Sequence, residues 1–325
     1  MNKFLLTGVL LLVLQVGYGQ LDNTFTQNNL LPFMFNAGAS GMQQGTDFKL
    51  VAKRPFGANE TAVKDYFFGI NHGIILPNQN RIEALINKST VDNSRPVKLG
   101  ISGFVRQRDF SSLTNVTGNL SFSVQVPITR RHYLSFGLST SYGQIRVRTQ
   151  SLIIRDLQDS YYTSLLKSGG SVSNFDLGGG LVFYSNKLLI GYSVNSLAGT
   201  RFESNLASND RPPMSQYLMV GYKFDINGSW KFDPSILVRH QVGTPIFYNV
   251  QAKFSYNETV WAGLAYISDK TISLLAGYEV SKKFQIGYSY DIGMGSQNNV
   301  LSNTNELILG FKPFIKEKKS ETPEE

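Results

Sequence analysis

Apolar and polar residues alternate along most of the chain, in the period of two that sends successive side chains to opposite faces of a β-strand. In the stretch KKFQIGYSYD, residues 282–291, the apolar positions share one parity and most polar positions share the other. Fourteen such segments follow one another, and most reach the length of about 9–11 residues that a tilted strand needs to cross a bilayer. They span residues 46–54, 63–76, 96–106, 113–128, 132–148, 172–185, 187–198, 213–226, 230–242, 245–257, 259–267, 270–280, 283–293 and 304–312.

The connections between these segments are sorted by length. If the N-terminus is periplasmic, the turns after segments 4, 6, 8, 10 and 12 lie on the periplasmic side, and all of them are short. Long connections lie on the other side, at residues 149–171, 199–212 and 294–303. A barrel closed in a membrane has this asymmetry, whereas a soluble sandwich has no reason to sort its loops by side. The sequence therefore predicts an all-β fold, a transmembrane antiparallel β-barrel of about 14 strands.

One connection departs from this rule. Residues 77–95 should form a short periplasmic turn, but the segment is long and has a stretch that suits a short helix. It is either a periplasmic cap or a sign that the strand count is off by one hairpin at this point.

The alternation also predicts which side chains meet lipid. In a membrane barrel the apolar parity faces lipid and the polar parity lines the lumen. The residues expected to face lipid are Phe284, Ile286, Tyr288, Tyr290, Leu307, Leu309 and Phe311. The residues expected to face the lumen are Gln285, Ser289, Asp291, Asn249, Gln251 and Lys253.

The two ends of the chain do not follow the strand pattern. Residues 1–19 have a positive start, an apolar run and small residues before Gln20, which predicts a cleaved signal peptide. Residues 20–45 are too apolar for a solvated tail and too irregular for a strand. We interpret them as a plug in the lumen or across the periplasmic mouth, with an ordinary periplasmic lead-in as the alternative. The barrel then covers residues 46–313, and the charged tail 314–325 is expected to be disordered. The residues that suggest a plug are Phe25, Phe33, Phe35 and Asn36.

Composition narrows the class of protein further. Charged residues make up only 17% of the chain, aromatic residues 12%, and there is no cysteine. Disulfides, thiol catalysis and cysteine-based zinc sites are therefore excluded. The formal net charge of +8 comes from scattered basic residues, and an exported chain has no access to nucleic acid. The sequence predicts the outer membrane of a Gram-negative bacterium as the location, with lipid as a partner.

A search for catalytic chemistry finds little. The three histidines, His72, His132 and His240, lie far apart and lack the spacing of metal ligands. No nucleophile elbow, zinc-protease motif or phosphate-binding loop is present. Gly178, Gly179 and Gly180 fall within a predicted strand, where glycine more often marks a bend or close packing. We expect no enzymatic activity, no cofactor and no metal site.

Four stretches resemble the PorP/SprF family of type IX secretion system outer-membrane proteins. They are FTQNNLLPFMFNAGASG at Phe25–Gly41, RRHYLSFGLSTSYGQ at Arg130–Gln144, the strand-rich stretch Tyr248–Gly293 that ends in IGYSYDIG, and NTNELILGFKP at Asn303–Pro313. Together they span nearly the whole mature chain, and the last two are the most specific. The chain departs from the family pattern after Asn36, where the usual proline is absent, and at Ile267 and Asn305.

The resemblance implies a function that composition does not. Family members work with the type IX translocon and with periplasmic motor and ring components. They help to export large proteins that carry a C-terminal sorting domain, often gliding adhesins. The barrel is then expected to dock or anchor secreted cargo, making contacts through its long outer loops, its plug and residues 77–95. The alternative is a transport channel of the fatty-acid-transporter type for small hydrophobic ligands, which also has fourteen strands and an N-terminal plug.

Overall fold

A computed structural model describes residues 24–56, 63–76, 96–129, 131–147, 170–202, 213–268, 270–294 and 303–313. Fourteen strands form one antiparallel sheet that closes on itself. The barrel strands are β1 Gly45–Pro55, β2 Lys64–Ile75, β3 Lys98–Phe110, β4 Leu113–Pro127, β5 Tyr133–Val147, β6 Ser171–Tyr184, β7 Leu188–Asn195, β8 Ser215–Tyr222, β9 Trp230–Gln241, β10 Phe247–Tyr256, β11 Val260–Ile267, β12 Thr271–Ser281, β13 Phe284–Gly293 and β14 Thr304–Phe311.

The ring closes where the first and last strands pair. Strand β14 lies antiparallel to β1, with Phe311 opposite Phe48 and Thr304 opposite Pro55. Every other barrel strand pairs with its neighbours in the chain, so each connection joins adjacent strands. Two short strands lie in the connections: Thr200–Phe202 pairs with β6, and Phe224–Asp225 pairs with β9. The predicted architecture and strand number are confirmed.

The two ends of the barrel differ in their connections. We call the end that carries the short β4–β5, β6–β7, β10–β11 and β12–β13 turns the turn end, and the opposite end the loop end. Strands β2 and β3 pair directly along their lengths, so the long connection between them does not hide an extra hairpin of the ring. Residues 77–95, the predicted signal peptide, the tail 314–325 and most of the three long loops lie outside the described residues.

The outer wall is apolar, and the inner wall is mostly polar. Large apolar side chains are exposed around the ring, among them Leu120, Leu264 and Leu274. Six of the seven residues predicted to face lipid are exposed on this surface, and Tyr290 is half-buried, with its hydroxyl accepting a hydrogen bond from Asn303. Of the residues predicted to face the lumen, Ser289, Asp291, Asn249 and Gln251 are buried, and Gln285 and Lys253 are half-buried.

A charge on the outer wall tests this assignment. Ile286 is 42% exposed, while Gln285 beside it lines a cavity of about 370 Å³ at the turn end and lies opposite Glu279. We expect Ile286→Arg to lower the free energy of unfolding by about 2 kcal/mol, because a lipid-facing arginine loses its hydration. Gln285→Glu at the same depth should cost less than about 1 kcal/mol, since the ammonium of Lys49, 3.0 Å from the Gln285 side-chain oxygen, can pair with the new carboxylate in the cavity. Urea unfolding of each variant in vesicles measures both, and equal costs would contradict the assignment of faces.

Candidate functional site

The segment before β1 fills much of the barrel lumen. Residues 24–44, which we call the plug, contain the 3₁₀ turns Asn28–Leu30 and Ala37–Ala39 and the short helix Pro32–Phe35. Most residues from Thr24 to Gly41 are buried although they belong to no strand. No helix in the described part of the chain is long and apolar enough to cross a membrane.

Three charged side chains of the wall hold the start of the plug. Lys53 of β1 lies 2.7 Å from Asp291 of β13 and 3.9 Å from Glu306 of β14, and all three are at most 3% exposed. We call these residues the anchor cluster. Lys53 and Glu306 are direct cross-strand partners at the seam where the ring closes. Two buried carboxylates around one ammonium stay charged at low cost only when further hydrogen bonds satisfy them.

The plug supplies those hydrogen bonds. The backbone N–H groups of Thr26 and Gln27 donate to the two carboxylate oxygens of Glu306, at 2.6 and 2.9 Å. The Thr26 hydroxyl donates to Asp291 at 2.8 Å and accepts from Lys53 at 3.0 Å. The Thr26 carbonyl accepts from the amides of two further wall residues, Asn249 and Gln251. The plug start therefore supplies hydrogen-bond donors to both carboxylates of the anchor cluster, and it accepts a hydrogen bond from the Lys53 ammonium.

Polar side chains of the opposite wall hold the end of the plug by its backbone. Ser135 donates to the Gly38 carbonyl at 2.6 Å, and Ser193 donates to the Phe35 carbonyl at 2.7 Å. In the other direction, the side-chain amide of Asn36 in the plug donates to the Leu181 carbonyl of the wall at 3.1 Å. The Ser40 carbonyl accepts from both Ser123 and Gln125 at 2.7 Å. These bonds replace water for carbonyl groups at the ends of the short helix and the second 3₁₀ turn, where the helical hydrogen bonding stops.

Glycines in the wall let this backbone approach closely. A Cβ atom on Gly100 would lie 2.0 Å from the Ser40 carbonyl oxygen, and one on Gly137 would lie 2.2 Å from the Ala37 carbonyl carbon. A Cβ atom on Gly180 would lie 2.0 Å from the side-chain oxygen of Asn36. The sequence predicted either a bend or close packing at Gly178, Gly179 and Gly180 of β6, and the plug packs closely against Gly180. Only a residue without a side chain permits these approaches.

Aromatic side chains pack between the start and the end of the plug, the two parts that polar side chains of the wall hold. Phe67 of β2 packs edge-on against Phe25, with ring centroids 5.8 Å apart, and against Phe33 at 6.1 Å. Phe35 packs against Tyr217 of β8 at 5.7 Å. Phe25, Phe33 and Phe35 are each at most 3% exposed, and so is Asn36. All four residues named from the sequence as plug residues thus lie inside the barrel.

The sequence predicted Asp291 as a lumen-facing residue but did not identify Lys53 and Glu306, the other two charged residues of the anchor cluster. Lys53 and Glu306 share the inward parity of their strands, which the alternation reveals, but their contact depends on the register of β1 against β14. The same holds for Asp65, which accepts from Arg106 at 2.9 Å and from Arg108 at 3.2 Å. The described residues include no group of three acidic or histidine side chains able to hold a metal ion.

Comparison with protein families gives one match that covers most of the chain. The family model described as "Type IX secretion system membrane protein PorP/SprF" matches residues 18–311. No curated protein sequence matches the chain significantly.

Several solved structures resemble the fold at low sequence identity. The CymD monoaromatic hydrocarbon channel has 12% identity and a TM-score of 0.48, over 91% of this chain and 93% of that chain. The P. putida toluene transporter TodX has 11% identity and a TM-score of 0.48, over 88% and 94% respectively. The Acinetobacter baumannii outer membrane protein Omp33 has 10% identity and a TM-score of 0.40, over 84% of this chain and the whole of that chain.

Proposed function

The chain belongs to the PorP/SprF family of type IX secretion system membrane proteins, and from this membership and its plugged lumen we propose that it docks secreted cargo at the translocon. The cargo is a gliding adhesin or another protein that carries a C-terminal sorting domain. In this proposal the barrel anchors cargo at the outer membrane and catalyses no reaction. Its other partners are the translocon itself and the periplasmic motor and ring components.

The occupied lumen is the observation that carries this proposal. The plug is bonded to β1, β13 and β14 at its start and to β4, β5 and β7 further along. A fourteen-strand barrel encloses only a narrow space, and here much of that space is filled by packed side chains. A polypeptide cannot pass while the plug is bound. This supports a role in secretion that uses the ends of the barrel as binding surfaces.

A reversible disulfide that holds the plug in the lumen tests whether the barrel acts in secretion without passing cargo through its lumen. The hydroxyl oxygens of Ser40 in the plug and Ser102 in the wall are 2.7 Å apart, and the chain has no native cysteine. Cysteines at both positions should therefore form a disulfide, whose sulfurs lie about 2.0 Å apart. We expect cargo secretion by the locked barrel to equal that of the two single-cysteine variants. Loss of secretion on oxidation, with recovery on reduction, would show that cargo passes through this lumen and would refute the proposal.

The partners are tested by purification of the tagged, locked barrel from its native outer membrane in mild detergent, followed by mass spectrometry. We expect to recover translocon components or a large protein with a C-terminal sorting domain, both absent when an unrelated tagged barrel from the same cells is purified. Recovery of the barrel with bound fatty acid or hydrocarbon and no partner protein would instead favour the hydrophobic-ligand channel. Failure to recover either type of partner from intact complexes would count against docking.

A further inference from the structure

The two ends of the plug lie at different ends of the barrel. The plug continues into β1 at Gly45, and β1 starts at the turn end because it lies antiparallel to β14, which finishes there. The first described residue of the plug is Thr24, whose carbonyl accepts a hydrogen bond from Lys53 at 3.3 Å. Lys53 belongs to the other end of β1, two residues before that strand finishes at Pro55. The described plug therefore starts close to the loop end and finishes at the turn end.

Side chains near the loop end hold the plug start. Asp291 lies two residues before the loop end of β13, and Glu306 lies two residues after the loop end of β14. Asn249 is likewise two residues from the loop end of β10. Each of them forms a hydrogen bond with Thr26, the third residue of the described plug. The plug start is therefore fixed just inside the loop-end rim of the wall.

Side chains near the turn end hold the finish of the plug. Ser135, two residues after β5 starts at the turn end, donates to the Gly38 carbonyl. Gln125, two residues before β4 finishes at the turn end, donates to the Ser40 carbonyl. The buried aromatic side chains of the plug lie between these contacts and those of the plug start. The plug thus crosses most of the length of the lumen, instead of entering and leaving it at one end.

Few residues precede the plug start in the predicted mature chain. The sequence predicts cleavage before Gln20, which leaves four residues, 20–23, ahead of Thr24. Four extended residues span at most about 14 Å. Lys53 lies eight residues along β1 from Gly45, which is about 26 Å of strand and about 20 Å of height at a tilt of about 40°. The predicted mature amino terminus is therefore too close to Thr24 to reach the turn end.

We propose that the plug threads the lumen with its free end outward, so that the mature amino terminus is displayed at the loop end, on the outer surface of the cell. Short turns of outer-membrane barrels face the periplasm and longer connections face the exterior, which makes the loop end the outer one. A periplasmic partner then reaches the plug only where it joins β1. A protein outside the cell reaches its free end, which is the part of the plug that such a protein can bind or pull.

Cysteine labelling of intact cells tests the position of the free end. The chain has no native cysteine, so a single cysteine at Leu21 reports its own site. The reagent is a polyethylene-glycol maleimide, which is too large to cross the outer membrane or the plugged lumen. We expect Leu21→Cys to shift on a gel after treatment of intact cells, as Val242→Cys should in the β9–β10 connection at the loop end, where Val242 is 67% exposed. Lys282→Cys, in the β12–β13 turn, should shift only after the outer membrane is permeabilised.

Two further measurements support the labelling. The intact mass of the purified parent protein should equal that of a chain that starts at Gln20, and a mass that includes residues 1–19 would overturn the proposal. An epitope inserted between Gln20 and Leu21 should bind its antibody on intact cells. The epitope tests the same position even if Leu21→Cys fails to assemble, and binding of the antibody only after permeabilisation would contradict the proposal.

Three labelling results would overturn the proposal. Labelling of Leu21→Cys only after permeabilisation would place the free end in the periplasm. Labelling only after unfolding in urea would place it inside the lumen. Labelling of Lys282→Cys on intact cells, with none of Val242→Cys, would show that the loop end faces the periplasm. None of these results depends on cargo docking, which the purification of the tagged barrel tests separately.

Discussion

Replacing Lys53 with methionine is expected to lower the free energy of unfolding by about 3–5 kcal/mol, the cost of leaving buried charge unpaired. Methionine keeps an unbranched apolar side chain but removes the ammonium 2.7 Å from Asp291 and 3.9 Å from Glu306. Both carboxylates are buried and would lose their shared cation. The start of the plug should detach as well, because Lys53 also donates to Thr26 and to the Thr24 carbonyl.

Urea unfolding in vesicles, followed by tryptophan fluorescence, measures the loss for Lys53→Met. Lys282→Met provides the matched control, since that lysine is exposed in the β12–β13 turn and its removal should change stability by less than about 0.5 kcal/mol. A double variant with Lys53→Met and Asp291→Asn should regain part of the stability, because it removes one unpaired charge along with the cation and leaves Glu306 to accept from both backbone N–H groups of the plug. If the double variant is no more stable than Lys53→Met, the cost does not come from the unpaired charge of Asp291.

Adding two methyl groups to the wall should release the end of the plug. Gly100→Ala and Gly137→Ala place Cβ atoms 2.0 and 2.2 Å from plug backbone atoms, so close that the plug or the wall must shift. Overpacking of this kind costs about 1–3 kcal/mol per site, so the pair should raise the undocked population by roughly a hundredfold. The hydrogen bonds from Ser123, Gln125 and Ser135 to the plug backbone are broken in that state.

A single reporter cysteine at Ala39 measures this release cleanly, because the chain has no other cysteine. Ala39 is fully buried, so a water-soluble maleimide should label the reporter slowly in the parent barrel and roughly a hundred times faster in the double variant. Ion conductance in planar bilayers should rise in parallel. Gly118→Ala is the control, since a Cβ atom there meets nothing within 4 Å and should leave both readouts unchanged. Unchanged labelling in the double variant would mean that the wall shifts to accommodate the two methyl groups while the plug stays bound.

The barrel strands could be predicted from the sequence because the alternation of apolar and polar residues that marks each strand lies within a short stretch of the chain. Period-two alternation fixes which residues of one strand share a face, and turn residues such as Asn227 and Gly228 separate one strand from the next. The inward position of Asp291 and the outward position of Phe284 follow from parity alone. The aromatic residues of the plug stood out because they occur in a segment that fits neither a strand nor a solvated tail.

The contacts inside the barrel could not be predicted because they depend on register between distant segments. Glu306 meets Lys53 only because β14 pairs with β1 in one register, and a shift by one residue would turn every side chain of the strand to the other face. The convergence of Arg106 and Arg108 on Asp65 likewise requires the pairing of β2 with β3. Parity identifies such charges as inward, but it does not say which of them meet.

The position of the anchor cluster also sets an order of assembly. Glu306 accepts from the backbone of Thr26, a residue 280 positions earlier in the chain. A segment that leaves the ribosome early is thus held by side chains of strands that are made much later. Until β13 and β14 have joined the sheet, two of the three charges that hold the plug start are not in place, and β1 presents an unpaired edge. Complete anchoring of the plug start therefore requires both β13 and β14 to be in place in the barrel.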